Sequence, residues 1–186
     1  MDVEKKIECL WKTIARLDNY VSWTNNKATI ILAFNTFILG GIILKWSTLI
    51  EMYGGNKTLE SLTYFLLSIG ALSSIFSIYK LFEVINPYLF SHSVPEKYHS
   101  KIFFDHISQF NSKEEYSAII NDLSYEKQLE DLCYQVHSIS LGLDSKYKKL
   151  KTAIDTILYL LLPTLSIILF LKIGQVLFHL INVLGA

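Results

Sequence analysis

Two patterns of apolar residues alternate along this chain. In some stretches they recur every three or four positions among charges; in others they run together with no charge at all. Three uncharged runs stand out: ATIILAFNTFILGGIIL over 28–44, LTYFLLSIGALSSIFSIY over 62–79 and ILYLLLPTLSIILFL over 157–171. Ala153 and Ile154 extend the third across Asp155. As helices rising about 1.5 Å per residue, such runs suit a hydrocarbon core about 30 Å thick. Buried core helices are the alternative, but one core in a chain of 186 residues rarely needs three charge-free runs. The pattern therefore predicts an all-α membrane protein with about three transmembrane helices.

Only KWSTLIEMYGGNKTLES separates the first two runs, with Gly54-Gly55-Asn56 as its turn, so they read as a hairpin of spans over 28–45 and 60–79. Ahead of it, residues 1–27 carry Ile7, Leu10, Trp11, Ile14, Leu17 and Val21 at helical spacing, an amphipathic helix that runs toward the first span. Residues 80–152 read as a helical cytoplasmic region. Within it, SKEEYSAIINDL from Ser112 opens as a capping box with Glu115, and Leu129, Leu132, Val136, Ile139 and Leu143 form a second stripe. NPYLFSHSVPEKYHS holds two of the three prolines and reads as loop. Residues 153–186 hold the third span, kinked at Pro163, and a tail that either prolongs this helix or lies along the bilayer surface.

Lysine placement orients the hairpin. Lys5, Lys6, Lys12, Arg16 and Lys27 precede the first span, and nine lysines lie between Lys80 and Lys151, whereas Lys45 and Lys57 flank the hairpin loop. The positive-inside rule then puts the amino terminus and the 80–152 region in the cytoplasm of a multi-pass inner-membrane protein. Overall, 17 basic residues balance 17 acidic ones, which excludes a general polyanion binder without excluding a local basic pocket. Two distant cysteines, Cys9 and Cys133, exclude a disulfide framework and fit a reducing compartment. The charged first 20 residues carry no secretory pattern.

No nucleotide-loop, metalloprotease or nucleophile-elbow motif is present, so an enzyme is not expected, nor is a cofactor. His92, His99, His106 and His137 match no metal-ligand spacing. Polar residues inside the spans say more. Asn35 lies midway through the first, where an amide must find a partner or line a wet path. Gly40 and Gly41 permit close helix approach, and Gly70, Ser73, Ser74 and Ser77 share one face of the second span. These residues pack either within one chain or between copies at a pore or oligomer interface. In the polar region, Phe103, Phe104, His106, Tyr134, Gln135, His137, Ser140, Lys146 and Tyr147 form a polar-aromatic set. Phe104 and Tyr147 are suited to stacking on a base, Gln135 and Ser140 to reading its edge, and Lys146 to meeting a phosphate. Such aromatics also serve as core.

Three stretches taken in order resemble the Pycsar transmembrane effector family. NNKATIILAFN resembles that family's D-x-K-A-S-x-(apolar)-F-N element at the first span, and KIFFDHIS its F-F-x-H-I element. LSYEKQLEDLCYQVHSISLGLDSKYKKLKTAI resembles the closing helix that leads into its last span. The resemblance implies an antiphage effector that senses a pyrimidine cyclic nucleotide made by a partner cyclase and compromises the inner membrane. It maps Lys27, Phe103, Phe104, His106, Gln135, Ser140, Lys146 and Tyr147 onto the family pattern. One position departs: the acid before the lysine is an amide here, Asn25 or Asn26 according to the alignment. An amide donates as well as accepts and leaves Lys27 less neutralised, which suits a different nucleotide signal, such as a short oligonucleotide from a nucleotidyltransferase.

The expectation is a homo-oligomeric effector in the lipid bilayer, with nucleotide recognition in the cytoplasm and a response in the spans. Its rivals are a constitutive channel or transporter subunit and a membrane scaffold without a pore.

Overall fold

The computed structural model describes residues 2–51, 56–87 and 100–184, and among these all regular structure is helical. Seven α-helices follow in order: α1 (Val3–Leu44), α2 (Trp46–Glu51), α3 (Lys57–Ile85), α4 (Phe104–Ile107), α5 (Lys113–Asn121), α6 (Tyr125–Thr156) and α7 (Leu162–Leu184). A π-helical turn, Ile157–Leu161, joins α6 to α7 without a loop. Gly54 and Gly55 of the expected turn, and most of the expected 86–100 loop with His92 and His99, lie outside the described residues.

Among the described residues three stretches are long and apolar enough to cross a membrane: Val3–Leu44, Lys57–Ile85 and Tyr125–Phe178. Burial separates this reading from that of a soluble core. At most 33% of each apolar window is buried within the chain, while Phe37 is 80% and Phe170 82% exposed. A helix apolar on every side and left uncovered by protein finds its favourable solvent in lipid. The amphipathic segment of α1 runs into the span without interruption, and α6 likewise reaches α7 through the π turn.

The chain divides into two compact units. One comprises residues 1–24 and 87–147. Here α5 starts as the sequence predicts: Ser112 Oγ accepts from the Glu115 N–H at 3.1 Å. Glu115 reaches back to the Asn111 N–H, also at 3.1 Å, one residue earlier than a standard capping box. On α6, Leu132 and Leu143 are buried and Leu129, Val136 and Ile139 half-buried, so the apolar stripe faces inward.

The other unit comprises residues 25–86 and 148–186. Two buried apolar clusters hold it together. Ile42, Ile50, Leu67, Ile157, Leu161 and Ile168 form one, and Ala28, Leu81, Val84, Leu150 and Ala153 the other. The tail beyond Lys172 continues as helix through Leu184, so it prolongs the third span. At Pro163 the helix lacks an N–H donor and the ring crowds the preceding turn. The widened turn lies directly before it: Leu162 N–H bonds the Ile157 carbonyl, five residues back. Thr164 Oγ1 donates to the Leu160 carbonyl at 2.6 Å, satisfying one acceptor locally.

Candidate functional site

In the first unit the polar groups converge on Ser100, which is 1% exposed. Its hydroxyl oxygen accepts from the Ile102 N–H at 3.2 Å, the Phe103 N–H at 3.1 Å and Gln135 Nε2 at 2.8 Å. Its own N–H donates to His106 Nδ1 at 2.8 Å. That bond makes Nδ1 an acceptor, so the neutral imidazole carries its proton on Nε2. The Phe103 ring meets the His106 ring edge-on, centroids 5.7 Å apart. Next along the chain, the Lys101 N–H donates to Asp131 at 2.7 Å and Tyr116 donates its hydroxyl to the Lys101 carbonyl at 2.9 Å. A short polar segment is thereby pinned to α6 and α5 by its backbone.

Phe103, His106 and Gln135 are thus brought together, each half-buried, around a serine. The other residues of the polar-aromatic set are placed differently. His137, Ser140 and Tyr147 are exposed on α6, and Ser140 Oγ is turned back to the Val136 carbonyl at 2.7 Å. Tyr134 is 37% exposed, whereas Lys146 is buried. The side chain of Phe104 lies outside the described residues. Among the described residues no three His, Cys, Asp or Glu side chains group as a metal ion would need.

In the spanning unit Asn35 is fully buried and its amide is used on both sides. Asn35 Nδ2 donates to the Ser74 carbonyl at 3.1 Å, and Ser74 Oγ donates to Asn35 Oδ1 at 2.8 Å. This reciprocal pair ties α1 to α3 midway along the apolar run of α1. Ser77 Oγ donates to the Ala153 carbonyl on α6 at 3.2 Å, and Ser73 to the Gly70 carbonyl on its own helix. A Cβ at Gly70 would meet Thr164, Leu161 and Ile42 side-chain atoms at 3.8–4.0 Å, so this face packs against the π turn and α7. Asn35, Gly70, Ser74 and Ser77 all make contacts within the chain. Gly40 and Gly41 border open space and stay available to another helix.

Where α1 enters this unit Asn25 is half-buried, and Asn26 and Lys27 are exposed. Nearby in sequence, Ala28 is fully buried in the cluster with Leu81 and Leu150. Lys80 Nζ lies 2.7 Å from Glu83 Oε2, and Lys149 Nζ lies 3.5 Å from Glu83 Oε1. The hydrogen bond from Lys80 holds the Glu83 carboxyl below the ordinary glutamate range, and the same bond raises Lys80. Lys80 also lies 5.2 Å from the Tyr79 ring centroid and 5.8 Å from that of Phe76.

Sequence reasoning missed Ser100 as the hub. The acceptance of Ser100 from the N–H groups two and three residues on is a local turn that a serine favours, but its acceptance from Gln135 links positions 35 residues apart. It also missed Ser74 as the partner of Asn35, although both residues had been singled out.

The family model described as the Pycsar effector protein domain matches residues 9–173. No curated protein and no solved structure matches the chain.

Proposed function

Because the chain belongs to the Pycsar effector family, and is thus an antiphage defence effector with membrane-spanning helices, we propose that it senses a nucleotide second messenger in the cytoplasm and responds by disrupting or permeabilising the inner membrane. The messenger comes from a partner cyclase or nucleotidyltransferase. The amino terminus is cytoplasmic, the response involves several copies of the chain, and no catalytic step is assigned.

The observation that carries this reading is helix continuity. α1 runs from the charged amino-terminal segment into the first span, and α6 runs through the π turn into α7, with no loop to absorb a displacement. A nucleotide that favours one setting of the polar end of either helix biases the packing of its apolar end. It does so only to the extent that it binds the two settings with different affinity. In the spans, the element to be biased is the contact of α1 and α3 through Asn35 and Ser74, with the π turn of the third span beside Gly70. π turns recur where helices must adjust.

In the cytoplasm, the exposed ring of Tyr147 supports base stacking. Exposed Lys27, with amides before it in place of the family's acid, supports a phosphate contact.

The test is a membrane-potential dye assay in cells expressing the protein, with cyclic pyrimidine nucleotides or short oligonucleotides supplied in turn, alongside direct binding to the purified protein. One of them is expected to bind and to change depolarisation, and Lys27→Ala to weaken both. Steady leakage indifferent to every nucleotide would establish a constitutive channel instead.

A further inference from the structure

The inner end of the spanning unit carries more positive charge than its ion pairs consume. Ala28 on α1, Leu81 and Val84 on α3, and Leu150 and Ala153 on α6 form one buried cluster, so three helices meet at this level. Each places a lysine immediately beside its buried contact: Lys27 before Ala28, Lys80 before Leu81, and Lys149 and Lys151 on either side of Leu150. The lysines consequently encircle the bundle within about one helical turn of a common plane. Glu83 engages Lys80 and Lys149, and Asp155 is the other acid nearby in sequence, one turn deeper on α6. Lys27 and Lys151 are exposed and make no ion pair among the described residues. Directly beyond this plane the exposed apolar belt of the spans begins, with Ile30 at 70% and Phe34 at 58% exposure on α1, and Leu158 at 49% and Tyr159 at 78% on the third span.

Cations at the edge of an apolar belt face the phosphates of a lipid monolayer. We propose that this lysine belt is a binding surface for anionic phospholipid headgroups, with Lys27 and Lys151 as its two available cations and Glu83 holding Lys80 and Lys149 in place beside them. The occupant is a lipid, because each cation lies within about one helical turn of surface that only acyl chains cover favourably. This surface depends on the three helices crossing a bilayer and not on nucleotide sensing.

The experiment uses the full chain reconstituted in phosphatidylcholine vesicles containing a minority of spin-labelled phosphatidylglycerol or spin-labelled phosphatidylcholine. Both leaflets carry the label, so orientation does not affect the reading. Phosphatidylglycerol is expected to be enriched severalfold over phosphatidylcholine in the motionally restricted shell at low salt. Lys27→Gln and Lys151→Gln are each expected to lower that enrichment about two- to fivefold, and Lys27→Arg and Lys151→Arg to retain it. The Lys27→Gln, Lys151→Gln pair is compared with the Lys45→Gln, Lys57→Gln pair at the opposite end, which removes the same two charges and is expected to lower the enrichment less. Helicity by circular dichroism identifies any variant that fails to fold, and the arginine variants then carry the comparison.

No preference in the unaltered protein overturns the proposal, as does an equal loss from the outer pair, which would make the effect one of net charge. Displacement of labelled phosphatidylglycerol by millimolar inorganic phosphate also overturns it, because the belt would then be a site for soluble phosphate. Lys151 lies outside the residues assigned to nucleotide recognition. Its variant therefore separates failure of this proposal from failure of the sensing model.

Discussion

Asn35 and Ser100 show how a single polar side chain is committed by its surroundings. Asn35 is fully buried, so its two bonds to Ser74 are the alternative to an orphaned amide. Ser74→Ala removes one of these bonds and Asn35→Ala removes both, so the asparagine variant is expected to be the less stable. A double-mutant cycle in detergent should give a coupling of about 0.6–1.7 kcal/mol between the two residues. Zero coupling would mean that the pair contributes no specificity to the α1–α3 contact. Ser100→Ala leaves Gln135 and two backbone N–H groups to find other acceptors, and is expected to cost about 1–3 kcal/mol. Accelerated amide exchange at Ile102 and Phe103 is the corresponding local readout. Nothing in the sequence singled out Ser100, although the need of Asn35 for partners was legible there. Which residues would supply them was not, since the Asn35–Ser74 contact spans 39 positions and the Gln135–Ser100 contact 35.

The helices themselves follow from local rules. Asn56 caps α3 through its side chain, Ser112 caps α5, and α1 holds no proline or glycine before Gly40, so nothing in it stops the amphipathic segment from joining the span. The third span is the exception, because a proline predicts a disturbance without specifying its form. Pro163→Ala restores a backbone donor and lets the Ile157–Leu161 turn tighten to an ordinary α-helix, which removes the extra residue and re-aims the face presented to Gly70. The expected outcome is a blunted depolarisation response with unchanged membrane insertion, measured by the dye assay and by quantifying membrane-fraction protein. An unaltered response would show the π turn to be packing geometry alone. At the C-terminal end of α3, Glu83 titrates below its unfolded value because Lys80 bonds its charged form. Its contribution is present above the unfolded pKa and is lost as pH falls through the depressed one. Lys80 behaves in the opposite sense: its contribution is full below its unfolded pKa and fades as pH rises through the elevated one. Acidification below the ordinary glutamate range should therefore loosen the last turn of α3, seen as faster amide exchange near Ile85, and Glu83→Gln should remove that pH dependence.

For the whole molecule, the prediction concerns sidedness. Cys9 and Cys133 are both exposed thiols, and both lie in segments proposed to be cytoplasmic. A membrane-impermeant maleimide added to intact cells is expected to label neither and to label both after permeabilisation. Lys57→Cys, at the start of α3, should be labelled in intact cells. The reverse pattern would invert the topology and place the proposed sensing residues on the wrong face for a cytoplasmic messenger.

The sequence by itself determined that this protein is helical, that three of its segments suit a bilayer, and that each joins polar, helix-patterned chain. These properties are local: the hydrocarbon core requires backbone polar groups to be satisfied within the segment, and a run of suitable length announces that requirement residue by residue. Tertiary structure alone decided that Asn35 and Ser74 satisfy one another and that Gly70 faces the π turn. It also decided that Gln135 and His106 turn inward to Ser100. Hydrogen-bond partners are chosen by proximity in space. When they lie 35 or 39 positions apart, no spacing rule along the chain can name them.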